Sequence, residues 1–185
     1  ASTSVAALAN NPNPERETDR ALYVALVDWV VSNKLPPPSV YPRVGDGTLV
    51  SATSAAMGWP KIPGAPSPDG VMNPVLDYDF GESYRYNDNS GVITVVPPRV
   101  KAVIPTLVPK VDADGNELAG VKSLLARVPL GTYTGWNPIP SGPLAGRERS
   151  LAGGYIPFAA TKAERLASSD PRLSIEERYP SLAAY

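Results

Sequence analysis

Proline sets the terms on which this chain can fold. Twenty-two of its 185 residues are Pro, and nine of those fall between positions 36 and 74. Each proline fixes φ and removes a backbone donor, so no regular sheet can run through PPPSVYPRVGDGTLVSATSAAMGWPKIPGAPSPDGVMNP. Thr48, Leu49 and Val50 suit a short strand there, and the remainder reads as extended coil laid over a surface. Trp59, Ile62, Val71 and Met72 are its apolar anchors, each in need of a groove. Fifteen glycines add further breaks. The combined share of Pro and Gly stays below the roughly 25–30% of a low-complexity chain. A hydrophobic content of 43% is too high for disorder. The expectation is an ordered, loop-rich structure with few long helices.

Composition also removes whole classes of chemistry. The chain has no cysteine, which excludes disulfides, thiolate metal sites and cysteine nucleophiles within it. It has no histidine either, so the commonest general base, the usual zinc ligand and the Ser-His-Asp arrangement are all missing from these residues. Seventeen basic residues against 18 acidic ones give a net charge of −1, with no basic stripe to neutralise phosphates, so nucleic acid is not an expected partner. The longest apolar run, Ala21 to Val27, is far shorter than the ~20 residues of a membrane span. No cofactor and no metal are expected. The opening residues carry neither an initiator Met nor a basic and apolar leader, which reads as a processed product or part of a longer chain.

One helix stands out. Over 14–34, Ala21, Leu22, Ala25, Leu26, Trp29 and Val30 recur at helical spacing. Asn13 suits the cap, Pro14 the first helical position, and Asn33-Lys34 followed by three prolines the end. From about 90 onward short strands broken by prolines are expected at 91–97, 100–105 and 106–112, then a turn at 112–116, a strand over 118–128 and another segment at 131–138. The 141–147 stretch reads as a loop. Near the end, Thr161 with Glu164, and Ser174 with Glu177, have the spacing of capping boxes, the first opening a helix over 160–168.

Candidate chemistry is sparse. Asp112, Asp114 and Asn116 cluster oxygens in the manner of a calcium loop, but the glycine stands at the fourth place rather than the sixth, so a hairpin turn with Gly115 at positive φ explains the letters better. Asp77, Asp79 and Glu82 could pair carboxylates for acid–base work, although on a strand they read more simply as solvated or Arg-paired charges, with Arg85 and Arg99 available. Lys122-Ser123 is formally a Ser-Lys pair, yet adjacent side chains diverge. Tyr133, Trp136 and Asn137 join an aromatic wall to an amide and are the candidate substrate-binding residues. No nucleophile elbow, phosphate loop or dinucleotide fingerprint is present.

Residues 128–138 (VPLGTYTGWNP) and 153–179 (GGYIPFAATKAERLASSDPRLSIEERY) resemble the C-terminal region of a bacterial family of α/β-hydrolase-domain proteins, mostly presumed esterases. Matching blocks at 11–14, 20–30, 36–50, 89–98 and 107–120 extend the resemblance over nearly the whole chain. It implies an α/β fold of which this chain is the C-terminal portion. Residues 1–35 would end the hydrolase core with its last helix, and 36–185 would form a proline-rich, β-containing extension packed on that core. It further implies a serine carboxylic-ester hydrolase whose catalytic Ser and His lie outside this chain, with the His close before Ala1. No catalytic role falls on any residue here, and the chain alone is expected to be inert. The implied partners are the missing N-terminal hydrolase portion, in the same polypeptide or as a processed second chain, and a small ester. The alternative is a stand-alone, non-enzymatic binding or structural protein.

Overall fold

The computed structural model describes residues 6–14, 16–88, 91–149 and 151–185. In chain order the elements are β1 (Ala9–Asn10), α1 (Arg16–Ser32), β2 (Leu49–Ser51), α2 (Ser54–Met57), β3 (Val75–Asp79), β4 (Arg99–Ile104), β5 (Leu107–Pro109), α3 (Leu124–Arg127), β6 (Gly131–Thr134), β7 (Gly154–Pro157), α4 (Lys162–Ser168) and α5 (Ile175–Arg178). A 3₁₀ turn at Leu182–Ala184 closes the chain. Helix and sheet are therefore mixed. The strands form three separate antiparallel groups: β1-β7-β6, β2-β5 and β3-β4.

Helix α1 begins at Arg16, two residues later than the pattern suggests. Instead of being free to cap it, the Asn13 amide oxygen accepts a hydrogen bond from Ser123 Oγ, which ties the helix root to the loop before α3. At the other end Asn33 takes the left-handed conformation (φ 51°) and the Lys34 amide reaches back to the Asp28 carbonyl at 3.4 Å, so the helix stops with a left-handed residue. Between these ends no residue of α1 is buried. Its apolar face, Leu22, Leu26, Trp29 and Val30, stands 45–77% exposed.

The β3–β4 arm is equally bare on its second strand, every residue of which is exposed. Asp77 and Tyr78 pair with Ala102 and Val100, so Lys101 is the extra residue of a bulge. The stretch expected as a strand at 91–97 is not one among its described residues. Thr94 and Val95 both donate to the single Phe80 carbonyl, at 3.0 and 3.3 Å, which bends the chain across the arm instead of along it.

Order concentrates toward the C-terminus. The strand expected over 118–128 is instead a ladder end at Glu117 followed by one helical turn. Gly120 at φ 102° breaks the extension, and Ser123 accepts the Ala126 amide at 3.3 Å to start α3. Beyond it, β6 and β7 pair in register from Gly131 opposite Pro157 to Thr134 opposite Gly154. Gly153 makes this pairing possible: with φ 69°, a Cβ there would stand 2.0 Å from the Thr134 carbonyl oxygen. Both capping boxes form, Thr161 with Glu164 at α4 and Ser174 with Glu177 at α5.

This block is held by polar groups. Arg172, 3% exposed, donates to both Asp170 oxygens, to Thr132 Oγ1 at 2.8 Å and to the carbonyls of Ile156 and Pro157 at 3.0 and 3.1 Å. Its guanidinium also lies over the ring of buried Phe158, which Arg178 covers too. The α4–α5 pair is clamped by a bidentate Arg165–Glu177 ion pair at 2.7 and 3.0 Å.

A candidate ligand site

The 112–116 segment is built as a turn. Asp112 Oδ1 accepts the amides of Asp114 and Asn116 at 2.9 and 3.0 Å, and Gly115 takes φ 80°. With its carboxylate engaged this way, Asp112 fixes backbone, and among the described residues no cluster has the make-up of a metal site. The turn presents Asn116, which is buried and pairs with β6 as a strand would: its amide donates to the Gly131 carbonyl and its oxygen accepts from the Tyr133 amide, at 3.1 and 2.9 Å. Gly115 is required for the fit, because a Cβ there would meet Thr132 Cγ2 at 2.9 Å and the Trp59 ring at 3.2 Å.

Seating the turn this way shapes a half-open cavity of ≈ 280 Å³ between the β2–β5 ribbon, α2 and β6. Trp59 and Trp136 line it with ring centroids 5.4 Å apart and planes tilted by 55°. Met57, Met72, Val71 and Val108 supply aliphatic wall. Of the four anchors of the proline-rich stretch, Trp59 and Val71 line this groove half-buried, Met72 lines it but stays 45% exposed, and Ile62 is buried at 6% exposure. Glu117 is the one charged residue among the described lining residues. Desolvation pushes its carboxyl above the ordinary range, and nearby Lys122 opposes the shift.

Of the three residues singled out from sequence, Tyr133 and Trp136 lie together on this wall. Tyr133 is fixed by stacking on Tyr155 (5.4 Å, 23°), and its hydroxyl accepts the Leu130 amide at 3.3 Å. Asn137 goes elsewhere. At 1% exposure its amide oxygen accepts from Leu8, its nitrogen donates to the Leu8 and Gly153 carbonyls, and its own backbone amide donates to both Glu148 oxygens. It positions the chain ends of β1 and β7. Sequence reasoning missed Glu117, Met57 and Trp59 as neighbours of Tyr133, since they stand 16 to 76 positions away. The Gly115 turn was the available signal.

The other candidates are used structurally. Asp77 meets Lys101 at 3.9 Å on the surface, and Asp79 accepts the Gly81 amide at 2.9 Å. Arg85, rather than pairing with these acids, donates to the carbonyls of Glu82 and Tyr84. Ser123 is occupied by α3 and Asn13. No helix among the described residues is long and apolar enough to cross a membrane.

Neither a curated protein nor a solved structure matches this chain. A family model described as an alpha/beta hydrolase domain does, over residues 1–185. The mixed helix and sheet of the fold fit its alpha/beta class, and the chain belongs to the alpha/beta-hydrolase domain family.

Proposed function

We propose that this chain is the C-terminal part of a serine carboxylic-ester hydrolase, with the nucleophilic Ser and its His supplied by residues outside these 185. In this reading residues 1–35 finish the hydrolase core and 36–185 wrap over it. The observation that carries it is surface. The chain exposes 12715 Å². A folded monomer of 19.5 kDa would expose about 8,500 Å². Exposed apolar side chains on α1 and β4 contribute to the difference, as expected of elements made to lie against a larger body. With no histidine in the chain, acyl transfer to serine needs a base from elsewhere. Tyr133 and Trp136 would contribute one wall of the substrate pocket, and Asn137 would hold that wall in place.

The test is activity-based labelling. Purified 1–185 should neither hydrolyse p-nitrophenyl esters above background nor react with a fluorophosphonate. The protein isolated from its source should react, with the labelled serine mapping outside this stretch. A labelled serine within 1–185 overturns the assignment. A source protein of only 19.5 kDa with no bound chain would put the stand-alone binding protein in its place.

A further inference from the structure

We propose that the cavity bounded by Trp59, Trp136 and Glu117 is a binding site for a small neutral aromatic or branched-alkyl molecule, about ten heavy atoms in size, with one hydrogen-bonding atom placed at Glu117. This deepens the role given to Tyr133 and Trp136 and concerns binding alone, so it can succeed or fail independently of ester turnover.

Size comes first. An engineered apolar cavity of about 150 Å³ holds benzene. The present cavity, at ≈ 280 Å³, therefore has room for a bicyclic ring or a compact alkyl group. Preorganisation comes next. Thr134 Oγ1 donates to the Trp136 carbonyl at 2.5 Å and accepts the Gly154 amide at 3.0 Å, so Trp136 is held from behind by β6 and β7. Trp59 is held by its amide, which donates to the Ser54 carbonyl at 2.9 Å. Met57 and Met72, with three free torsions each, let the aliphatic side adjust to shape without moving the aromatic side.

Charge decides the class. A lone carboxyl on an otherwise apolar wall repels anions. Glu117 is itself an exposed residue, so solvent screens its attraction for a cation and leaves it as an acceptor for one hydrogen bond. A phenol or an alcohol satisfies such a group.

Isothermal titration and saturation-transfer NMR of the 1–185 chain with four probes sharing one ring system provide the test: naphthalene, 1-naphthol, 1-naphthalenesulfonate and (1-naphthylmethyl)trimethylammonium. The expected order places 1-naphthol first, about tenfold tighter than naphthalene from one hydrogen bond, with both charged probes weaker than either. Glu117→Leu should abolish the preference for naphthol over naphthalene. Ala52→Phe, which fills the cavity from its wall, should weaken both at least tenfold with the circular dichroism spectrum unchanged. Saturable binding in the wild type with that order supports the site. No saturable binding of either neutral probe, a charged probe binding tightest, or full binding to folded Ala52→Phe overturns it. Should Ala52→Phe not fold, the wild-type series and Glu117→Leu decide.

Discussion

Trp29 in α1 and Thr132 in β6 mark the two extremes of this molecule. The indole of Trp29, on the apolar face of the longest helix, is 45% exposed, whereas the hydroxyl-bearing Thr132 is sealed completely. The C-terminal block from Val111 to Tyr179 completes itself: its buried polar groups find partners in their own chain, and no buried side-chain N or O among the described residues lacks one. Helix α1 is terminated at its C-terminal end and tied down before its first turn, yet among the described residues its apolar face stays exposed. Hydrogen bonds are directional and must be matched locally, so a polar core is legible as complete or incomplete from one chain. Apolar surface carries no such label. Under the proposed function, the uncovered apolar face of this well-terminated helix is where the hydrolase core would pack.

The comparison breaks first at Arg172. Removing one partner of a buried, hydrogen-bonded ion pair leaves Asp170 uncompensated, along with the Thr132 hydroxyl and two carbonyls. Arg172→Met should destabilise the C-terminal block by about 3–5 kcal/mol in urea titrations of intrinsic fluorescence. A cost under about 1 kcal/mol would mean that the cluster is not structural. Asn137→Ala comes next. It strips the amide that bridges Leu8 and Gly153, and about 2–3 kcal/mol is expected, because the groups left behind stay buried.

These two residues show why the sequence was readable in some places and not in others. Capping boxes at Thr161 and Ser174, the helix through Trp29 and the turn at Gly115 are local patterns, decided by side chains within a few positions of each other. Asn116 and Asn137, and Arg172 beyond its local ion pair with Asp170, reach partners 15 to 129 positions away, and nothing in their neighbourhood announces that they are buried. Strand β7 was hidden by its own composition. The Gly153-Gly154 pair and Pro157 look like a loop, but the absent Cβ at Gly153 is what lets the strand approach Thr134. The candidate site was half legible for the same reason: Tyr133 and Trp136 share a short motif, while Glu117, Met57 and Trp59 arrive through the fold.

The α4–α5 junction gives a smaller, pH-dependent effect. Arg165 and the cap residue Ser174 hold the Glu177 carboxyl down to about 2 from its ordinary 4.5. A depressed carboxylate contributes stability that is complete above the unfolded value and is lost as pH falls through the folded one. Asp170 works the same way: burial favours its neutral form, but hydrogen bonds and charge from Arg172 outweigh burial and lower it. Denaturation midpoints should therefore fall between pH 4.5 and 2. Glu177→Gln, which keeps a capping side chain, should flatten that part of the profile. An unchanged slope would show that the ion pair is not formed in solution. Ser174→Ala, tested at neutral pH, should cost about 1 kcal/mol through the lost cap.

The smallest expected effect is the most telling about α1. In the isolated chain Val30 is 77% exposed and Leu26 49% exposed, so neither is a core residue and little burial is lost when they are made polar. Leu26→Gln and Val30→Gln exchange exposed apolar groups for a better or equal helix former, and the change in stability should stay within about 0.5 kcal/mol. The same pair of substitutions in the protein taken from its source should behave differently if α1 lies against a hydrolase core. There, each buried aliphatic side chain replaced by a polar one should cost about 2 kcal/mol or more. Trp29→Ala should repeat the contrast with a larger side chain, small in 1–185 and about 3–5 kcal/mol in the source protein. Chemical denaturation of both forms, followed side by side, reads the difference directly. Equal, small losses in both would mean that α1 is a surface helix everywhere. A large loss in 1–185 itself would mean that its apolar face is already covered, by a second copy or by another part of the chain, and the contrast between α1 and the C-terminal block would disappear.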